Sequence, residues 1–590
     1  MKGDEHPTSN IQHPTSNSQQ PTADSRRAMA GAVSRLRLHR GAGICHIPDV
    51  LKQLLRFIGI PAALGLWLSG SLNAPAAQTT AARPNFLIIL ADDMGFSDAG
   101  CYGGEIQTPN LDRLASNGLR FTQFYNTARC WPTRSSLLTG YYAQQIGMDP
   151  PKGPLPPWTR VLPHYLKPLG YRCYHSGKWH LMGAPKPVAD GGFDHSYLFE
   201  DSDRYFSPAQ HFEDDHKLPP VKPDSGYYAT TAFADHAINY LKEHAADHAA
   251  EPFFLYLAFI SPHFPLHALP EDIARYRDRY LEGWDSIREQ RWQRLRKMNL
   301  LDCALPPLDP KFTPRYFKPE VMEQLGPGEA EHPVPWKTLT DEQKRFQATK
   351  MAIHAAMVDR MDREIGRVLD QLRVMGVLDN TVIFFLSDNG ADATLMIRGE
   401  GHDKAAPAGS WRSFMCIGPG WASACNTPFR WHKIWTHEGG ISTPLIVHWP
   451  NGIKARGEFR RDMGHVVDFV PTLLDLAGAR VTNTWHGVTA PPLAGRSLVP
   501  AFTRDGAVEH EFIFFQHEGN RGLRVGNWKL VSAQENASQW ELYDLGKDRS
   551  EMHNLAEQQP ERARGMNARW TELERTFRRQ YSPGGGETGR

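Results

Sequence analysis

The chain has 590 residues, with 41% hydrophobic and 22% charged residues, which is typical of a soluble globular protein with one very large domain or two to three ordinary ones. Its formal net charge of +1 excludes recruitment of nucleic acid or membrane by a global electrostatic field. The chain has seven cysteines and no Cys-x-x-Cys pair, which excludes a scaffold held together by disulfides and shows no evident zinc-binding pattern. Cys416 and Cys425 are close enough in sequence to form a disulfide, but their spacing does not establish one.

The first eighty residues differ in amino-acid composition from the rest of the chain. Residues 1–56 form a polar, then basic leader, which is either disordered or untranslated sequence before a later start codon. Residues 57–77 combine an apolar core with a small-residue exit, a pattern typical of a secretory signal peptide. The core contains Pro61 and is shorter than the roughly 20 residues that span a bilayer. We therefore expect a periplasmic or secreted protein without a stable membrane anchor, a retained amphipathic anchor being the alternative.

The folded body begins with the continuous apolar run Asn85–Ala91, which predicts a strand covered on both faces and ends at Asp92 and Asp93. The run from Cys130 to Gly140 follows, with the form Cys-x-Pro-x-Arg and then Leu-Thr-Gly. A small buried cysteine before a proline turn is the plain interpretation of this run. The added Leu-Thr-Gly makes a chance occurrence rare and favours a functional motif.

Three further strands are predicted over residues 171–175, 253–260 and 381–386. Each of them is followed by polar residues, as the first strand is. Because ligands bind beyond the carboxyl ends of parallel strands, we expect one site assembled along this edge. The polar residues in question are Lys178 and His180, His263, and Asp388 and Asn389.

Helical patterns lie between the strands. Thr340 to Gln343 is a capping box that introduces a long amphipathic helix ending near Leu372, and a shorter helix is predicted over 466–476. Residues 270–298 are rich in arginine and aromatic residues. We interpret this segment as a solvated helical face over a loop, with a basic wall near the substrate entrance as the alternative.

Short alternating runs after about residue 505 predict antiparallel strands, and a charged helix follows over 559–579. The predicted fold class is therefore α/β, with a large central, mostly parallel (mixed) sheet flanked by helices. A smaller C-terminal domain is built on a short antiparallel sheet plus a helix. The predicted domains are 84–504 and 505–580, followed by a flexible tail over 581–590.

These motifs together resemble the type I sulfatases, the formylglycine-dependent family of the alkaline phosphatase superfamily. The resemblance covers roughly residues 84–555, and the Gly283-Trp284-Asp285 and 437–444 stretches are most similar to the arylsulfatase branch. One sulfate-contacting residue that some members place after the Lys-x-His block has no certain counterpart here. The matching blocks, in family order, are Asp92-Asp93, the Cys130 motif, Gly177–His180, Pro262-His263, 387–390, Lys433 with 438–440, and 540–549.

The resemblance implies hydrolysis of sulfate monoesters, with Cys130 oxidised by a maturation enzyme to formylglycine. One hydroxyl of the hydrated aldehyde attacks sulfur, and the other lets the sulfated intermediate collapse by elimination. The acids and the amide offer only hard oxygen ligands, which suit Ca²⁺ or Mg²⁺ rather than zinc, and the family suggests Ca²⁺. Ordinary turn acids are the plain alternative. The implied metal ligands are Asp92, Asp93, position 130, Asp388 and Asn389.

The resemblance also implies a role for each remaining site residue. Arg134 holds position 130, and Lys178 contacts the sulfate oxygens. Asp388 or a metal-bound oxygen assists the first deprotonation, and His180 accepts the proton in the elimination. Lys433, with His263, protonates or stabilises the leaving oxygen.

Two other functions stay open on the sequence. The first is a formylglycine-dependent phosphonate or phosphate-ester hydrolase, and the second is an inactive glycan-binding homologue. The substrate is a sulfated small molecule or glycan, and its alcohol half is not evident from the sequence. We expect specificity to lie in residues 150–160, 194–224 and 270–336 and around His517, which with Asn520 is a candidate to reach the substrate.

Overall fold

The computed structural model describes residues 83–399, 401–479, 482–536 and 539–581. The predicted leader and signal peptide, and the tail after residue 581, lie outside these described residues. Within them, no helix combines the length and the apolar character that crossing a bilayer requires.

The described residues contain a ten-stranded mixed sheet with the strand order β10-β2-β9-β8-β1-β7-β3-β4-β5-β6. The central block from β8 to β4 is entirely parallel, whereas β9 runs antiparallel to both of its neighbours. The predicted mostly parallel sheet is confirmed. Its strands are β1 (Asn85–Ala91), β2 (Leu119–Tyr125), β3 (Arg172–Gly177), β4 (His195–Phe199), β5 (His211–Glu213), β6 (His216–Lys217), β7 (Phe253–Ala258), β8 (Thr381–Ser387), β9 (Ser442–His448) and β10 (Glu458–His465).

Helices cover both faces of this sheet, which explains the continuous apolar strands. Leu87 and Ile89 of β1 belong to one buried cluster, and Phe86 and Ile88 to another on the opposite face. The helices are α1 (Pro109–Ser116), α2 (Cys130–Thr139), α3 (Leu162–Leu166), α4 (Ala229–Asp247), α5 (Pro270–Ala274), α6 (Gly283–Lys297), α7 (Glu320–Leu325), α8 (Asp341–Val374), α9 (Gly418–Cys425), α10 (Glu438–Ile441), α11 (Phe469–Leu476), α12 (Val499–Thr503) and α13 (Pro560–Tyr581). Helices α4 and α8 contribute to the first cluster, and α2, α3 and α11 to the second.

The long predicted helix is confirmed as α8, and its predicted cap forms. The Thr340 hydroxyl accepts a hydrogen bond from the Gln343 amide at 3.2 Å, and the Gln343 side chain accepts one from the Thr340 amide at 3.0 Å. Two donors at the helix start are thereby satisfied.

The prediction of a solvated face for residues 270–298 is wrong for Arg291 of α6, which is fully buried. Its Nη1 lies 2.7 Å from Asp98 Oδ1, and its Nε and Nη2 each lie 2.8 Å from a carboxylate oxygen of Glu105. Two acids from the segment after β1 therefore compensate the buried guanidinium. The sequence pattern of the helix did not reveal these distant partners.

The C-terminal region forms the predicted antiparallel sheet, with the order β13-β14-β15-β16. Helix α13 packs on it through Trp570 and Phe577, and Tyr142 and Val467 of the preceding region join the same apolar cluster. A two-stranded hairpin, β11 (Thr484–Trp485) and β12 (Val488–Thr489), precedes it. The four strands are β13 (Ile513–His517), β14 (Asn520–Val525), β15 (Trp528–Ser532) and β16 (Glu541–Asp544).

The cysteines of the described region are unbridged. Cys416 and Cys425, whose pairing the sequence left open, are both free and buried. The stability of the described region therefore comes from its core, as the low cysteine content indicates.

Candidate active site

Four neighbouring parallel strands, β8, β1, β7 and β3, end at the same edge of the sheet. Asp92 directly follows β1, Asp388 follows β8, Lys178 follows β3, and His263 lies shortly after β7. All four side chains are buried. The sheet edge thus brings together residues that are separated by up to 296 positions in the chain.

The backbone at this edge adopts conformations and close approaches that are uncommon in proteins. Asp93 and His180 both adopt left-handed conformations, with φ of 67° and 55°. Non-glycine residues take this region rarely and at some energetic cost, and such residues concentrate at functional sites. Gly390 belongs to the same edge, where a Cβ atom would lie 1.8 Å from the Gly439 carbonyl oxygen, so that only glycine fits.

Helix α2 presents position 130 to this edge. Cys130 is the first residue of the helix and Arg134 lies one turn further, so that both occupy one helix face. Both side chains are buried. Burial alone would raise the pKa of the Cys130 thiol, but the positive charges of Lys178 and Lys433 outweigh burial and lower it.

The Arg134 guanidinium ties three strand ends together. Its Nε donates to Asp388 Oδ2 at 2.9 Å, and its Nη2 donates to Asp92 Oδ2 at 3.2 Å. Its Nη1 donates to the Lys178 carbonyl at 2.9 Å. The planar fork of arginine allows these contacts at once, which a lysine ammonium in this place could not reproduce.

The predicted metal ligands carry buried oxygen atoms that lack hydrogen-bond donors. Among the described residues, Asp92 Oδ1, Asp93 Oδ2 and Asn389 Oδ1 are buried without a hydrogen-bond partner. The Asn389 amide nitrogen donates a hydrogen bond to Asp93 Oδ1 at 2.6 Å, so the contact with Asp93 does not engage the Asn389 amide oxygen. Three unpartnered hard oxygens in one buried cluster fit a divalent cation such as Ca²⁺.

The electrostatics of the acids indicate the same need for a cation. Burial opposes ionisation of Asp92, but the positive charges of Lys178 and Arg134 outweigh burial and lower its pKa. Burial raises the pKa of Asp93 well above its ordinary value, and burial together with Asp92 raises the pKa of Asp388 to about 7. Three adjacent carboxylates cannot all ionise cheaply without additional positive charge.

Lys433 reaches the cluster from the loop between α9 and α10. Its Nζ lies 2.7 Å from Asp93 Oδ1 and 3.3 Å from Asp392 Oδ2. Burial opposes the charge of Lys433, but Asp93 and Asp392 outweigh burial and raise its pKa. Asp392 was not among the predicted site residues, and its position just after the 387–390 block was the available signal.

The two site histidines are held as neutral imidazoles. Burial and the charges of Lys178 and Arg134 lower the pKa of His180 well below its usual value, and its Nδ1 has no hydrogen-bond partner in the described region. Burial and Lys433 likewise lower the pKa of His263. His263 Nδ1 lies 2.5 Å from the carbonyl oxygen of the next residue, so it carries the proton and leaves Nε2 as an acceptor.

The two candidates in the C-terminal sheet occupy different positions. The His517 ring lies 5.4 Å from the Trp131 ring, next to position 130, and its Nδ1 lies 3.1 Å from Asp149 Oδ2. Asn520 instead donates to the Ile434 carbonyl at 3.2 Å, a contact that connects the sheet to the Lys433 loop. The structure therefore brings His517 to the site wall and gives Asn520 a connecting contact.

Comparisons with known proteins give consistent matches. The family described as Sulfatase matches residues 84–479, and the family described as N-sulphoglucosamine sulphohydrolase, C-terminal, matches residues 429–577. An uncharacterized sulfatase of Schizosaccharomyces pombe is 32% identical, over 82% of this chain and 92% of its own length. An arylsulfatase of Klebsiella aerogenes is 31% identical, over 74% and 95%. The crystal structure of Ps i-CgsB in complex with k-i-k-neocarrahexaose shares the fold, with a TM-score of 0.60 and 23% identity over 85% and 94% of the two chains.

Proposed function

The chain belongs to the sulfatase family and is a sulfuric ester hydrolase, and we propose that it cleaves sulfate monoesters with an oxidised Cys130 as nucleophile beside a bound Ca²⁺. The observation that carries this proposal is the convergence of Cys130, the unpartnered acid oxygens and the lysines on one buried sheet edge. A sulfate ester is anionic and gains charge on the departing oxygen as it breaks. Fixed cations in a site shielded from water stabilise this charge strongly.

The proposed reaction needs two groups that the unmodified side chains do not supply, an aldehyde at position 130 and a metal ion. A maturation enzyme would convert Cys130 to formylglycine, whose hydrated aldehyde supplies the attacking hydroxyl and a second hydroxyl for release of sulfate. A Ca²⁺ ion held by Asp92, Asp93, Asp388, Asn389 and position 130 would orient the sulfate and make the attacking hydroxyl more acidic. The unpartnered oxygens of three of these residues support this ligand set.

The lysines bind the transferred group and the leaving oxygen. Lys178 Nζ lies 2.5 Å from Asp92 Oδ2 and would contact the sulfate oxygens. Lys433 Nζ lies 2.7 Å from Asp93 Oδ1 and would donate a proton or a hydrogen bond to the leaving oxygen. Both are buried, so their charges act with little screening by solvent.

The neutral imidazoles supply the acid–base steps. His180 would accept the proton that is lost when sulfate departs from position 130, since its depressed pKa keeps it unprotonated at neutral pH. Donation to the leaving oxygen would therefore fall to Lys433, because His263 carries its proton on Nδ1 and offers only an acceptor at Nε2. Arg134 is a positioning residue, because its contacts hold Asp388, Asp92 and the Lys178 backbone.

The test is to express the chain with a formylglycine-generating enzyme and to determine the mass of the peptide that contains position 130. We expect the aldehyde at that position and release of inorganic sulfate from aryl sulfates and sulfated sugars. The same protein with Cys130→Ser should fold but lose turnover. A strong preference for matched phosphonate esters over sulfates, or an unmodified Cys130 with retained turnover, would overturn the proposal.

A further inference from the structure

Arg129 precedes the nucleophile position and forms no ion pair within the part of the chain that the structure describes. The other cations at the site are engaged with carboxylates: Lys178 with Asp92, Lys433 with Asp93 and Asp392, and Arg134 with Asp388 and Asp92. Arg129 is half-buried, and its Nε is buried without a hydrogen-bond acceptor. An arginine whose buried nitrogen has no partner is costly unless a ligand satisfies it.

Two aromatic rings hold this guanidinium in place. Its central carbon lies 5.0 Å from the centre of the Trp131 ring and 6.0 Å from that of Tyr316. Contacts of this kind fix the orientation of arginine while leaving its N–H groups available to bind a planar or tetrahedral anion. The Trp131 indole nitrogen is also buried and unpartnered, which adds a second unused donor beside Arg129.

The acids nearest to Arg129 are engaged elsewhere, which explains why it stays unpaired. Glu518 accepts a hydrogen bond from the Tyr316 hydroxyl and lies 3.6 Å from Arg315 Nε. Asp392 faces Lys433 and accepts a hydrogen bond from the Thr394 amide at 2.8 Å. The positive charge of Arg129 is therefore available to a ligand.

The position of these residues indicates which part of a substrate they meet. Trp131 stands between two rings, His180 on the side of the reacting group at 5.8 Å and His517 of the C-terminal sheet at 5.4 Å. Tyr316 is 45% exposed and belongs to the segment between α6 and α7, where we expected specificity. Arg129, Trp131 and Tyr316, here called the Arg129 subsite, thus form one cluster that extends from the neighbour of position 130 to the protein surface.

We propose that the Arg129 subsite binds a second anionic group, a carboxylate or a second sulfate, on the alcohol part of the substrate, with the Trp131 and Tyr316 rings against its apolar surface. This inference rests on the proposed function, because it concerns the far half of the ester cleaved at position 130. The favoured substrates are accordingly sulfate monoesters whose alcohol carries a further negative charge.

The test compares three aryl sulfates that differ at the position meta to the ester: a neutral carboxamide, a carboxylate and a second sulfate. The wild-type enzyme should prefer one or both of the anionic compounds to the carboxamide in kcat/KM, and the preferred one identifies the anion. In Arg129→Gln, that preference should fall by about 10- to 100-fold, the range expected for hydrogen bonds to a charged group. Arg129→Lys should retain part of the preference.

The ratio of two kcat/KM values from one preparation does not depend on how much of position 130 has been converted. A change in maturation caused by the neighbouring substitution therefore cannot imitate the result. Arg461→Gln is the control for loss of a guanidinium, because Arg461 lies on β10 with its charge engaged by Asp505 at 3.1 Å, and it should leave the ratio within about threefold of wild type.

Equal losses on the carboxamide and the anionic compounds in Arg129→Gln would overturn the inference, since Arg129 would then act on the reacting sulfate or on the fold. A wild-type enzyme without preference for either anion would overturn it as well. Absence of sulfate release from all three compounds by fully converted enzyme would instead contradict the proposed function, so that the two failures are distinguishable.

Discussion

Glu438 connects the Lys433 loop to the C-terminal sheet through buried charges, and we predict that Glu438→Gln destabilises the protein strongly. Its Oε1 lies 2.9 Å from Lys529 Nζ, and its Oε2 accepts hydrogen bonds from Arg549 Nε at 2.7 Å and from the Tyr125 hydroxyl at 3.0 Å. All of these side chains are buried. Glutamine keeps the shape of glutamate but leaves two buried cations short of negative charge.

The magnitude follows from the electrostatics of this cluster. Burial opposes ionisation of Glu438, but Lys529 and Arg549 outweigh burial and lower its pKa from 4.5 to about 2. At about 1.4 kcal/mol for each pH unit, this difference corresponds to about 3 kcal/mol. Loss of one partner of a buried ion pair costs about 3–5 kcal/mol. We therefore expect Glu438→Gln to lower the free energy of unfolding by about 3–5 kcal/mol at neutral pH.

The pH dependence gives a second, independent readout. The pKa of Glu438 is lower in the folded than in the unfolded protein, so its stabilisation is present above about pH 4.5 and is lost as the pH falls towards 2. The difference in stability between wild type and Glu438→Gln should shrink over this window. Urea unfolding followed by tryptophan fluorescence, at neutral pH and at several values below pH 4.5, measures both quantities.

The matched control is Glu561→Gln, which makes the same chemical change in an exposed pair. The Glu561 side chain is 87% exposed and pairs with Arg564, which is 66% exposed. Exposed pairs contribute about 0–1 kcal/mol, so this variant should stay close to wild type. Equal costs for the two substitutions at neutral pH, or a Glu438→Gln cost that does not change in acid, would refute the electrostatic reasoning.

Three further predictions concern the metal, the leaving group and the long helix. Chelation with EDTA should abolish sulfate release, and Ca²⁺ should restore it better than Zn²⁺; full activity after complete chelation would contradict the oxygen-ligand site. Lys433→Met should slow the hydrolysis of sulfate esters of weakly acidic alcohols by about 10²–10⁴-fold, and the hydrolysis of esters of acidic phenols less. The measurement is the slope of log kcat/KM against the pKa of the alcohol, which should become steeper. An unchanged slope would exclude a role of Lys433 at the leaving oxygen. Thr340→Ala should lower the free energy of unfolding by about 0.5–2 kcal/mol, whereas Thr340→Ser should not, as measured by urea unfolding.

Much of the fold was predictable because the strands are covered on both faces. A strand between two helix layers is apolar on both faces, and residues 86–91 and 382–386 are continuously apolar in the sequence and buried in the structure. The polar residues after such runs could be recognised as site candidates, because ligands bind beyond the carboxyl ends of parallel strands. The capping box of α8 was predictable because it depends on residues three positions apart.

Other features could not be predicted because their partners are distant in the chain. Arg291 looked like a surface arginine, and only the fold places Asp98 and Glu105 around it. Asp392 is one acid among many until Lys433 is brought to within 3.3 Å of it. Arg129 could not be identified as a candidate binding residue from the sequence, because only the structure shows that the nearby acids are engaged with other residues.

The sequence by itself determined the family, and it supplied the proposed nucleophile position and the proposed set of hard oxygen ligands, because these depend on residue type and on short-range spacing. Tertiary structure alone decided which cations are neutralised and which remain available, because ion pairing depends on distances of a few ångströms between segments far apart in the chain. It also decided that the wall beside position 130 is shared by α2, the segment after α6 and the C-terminal sheet. The proposed reaction could therefore be inferred from the sequence, whereas the residues proposed to surround the alcohol part of the substrate could be identified only from the structure.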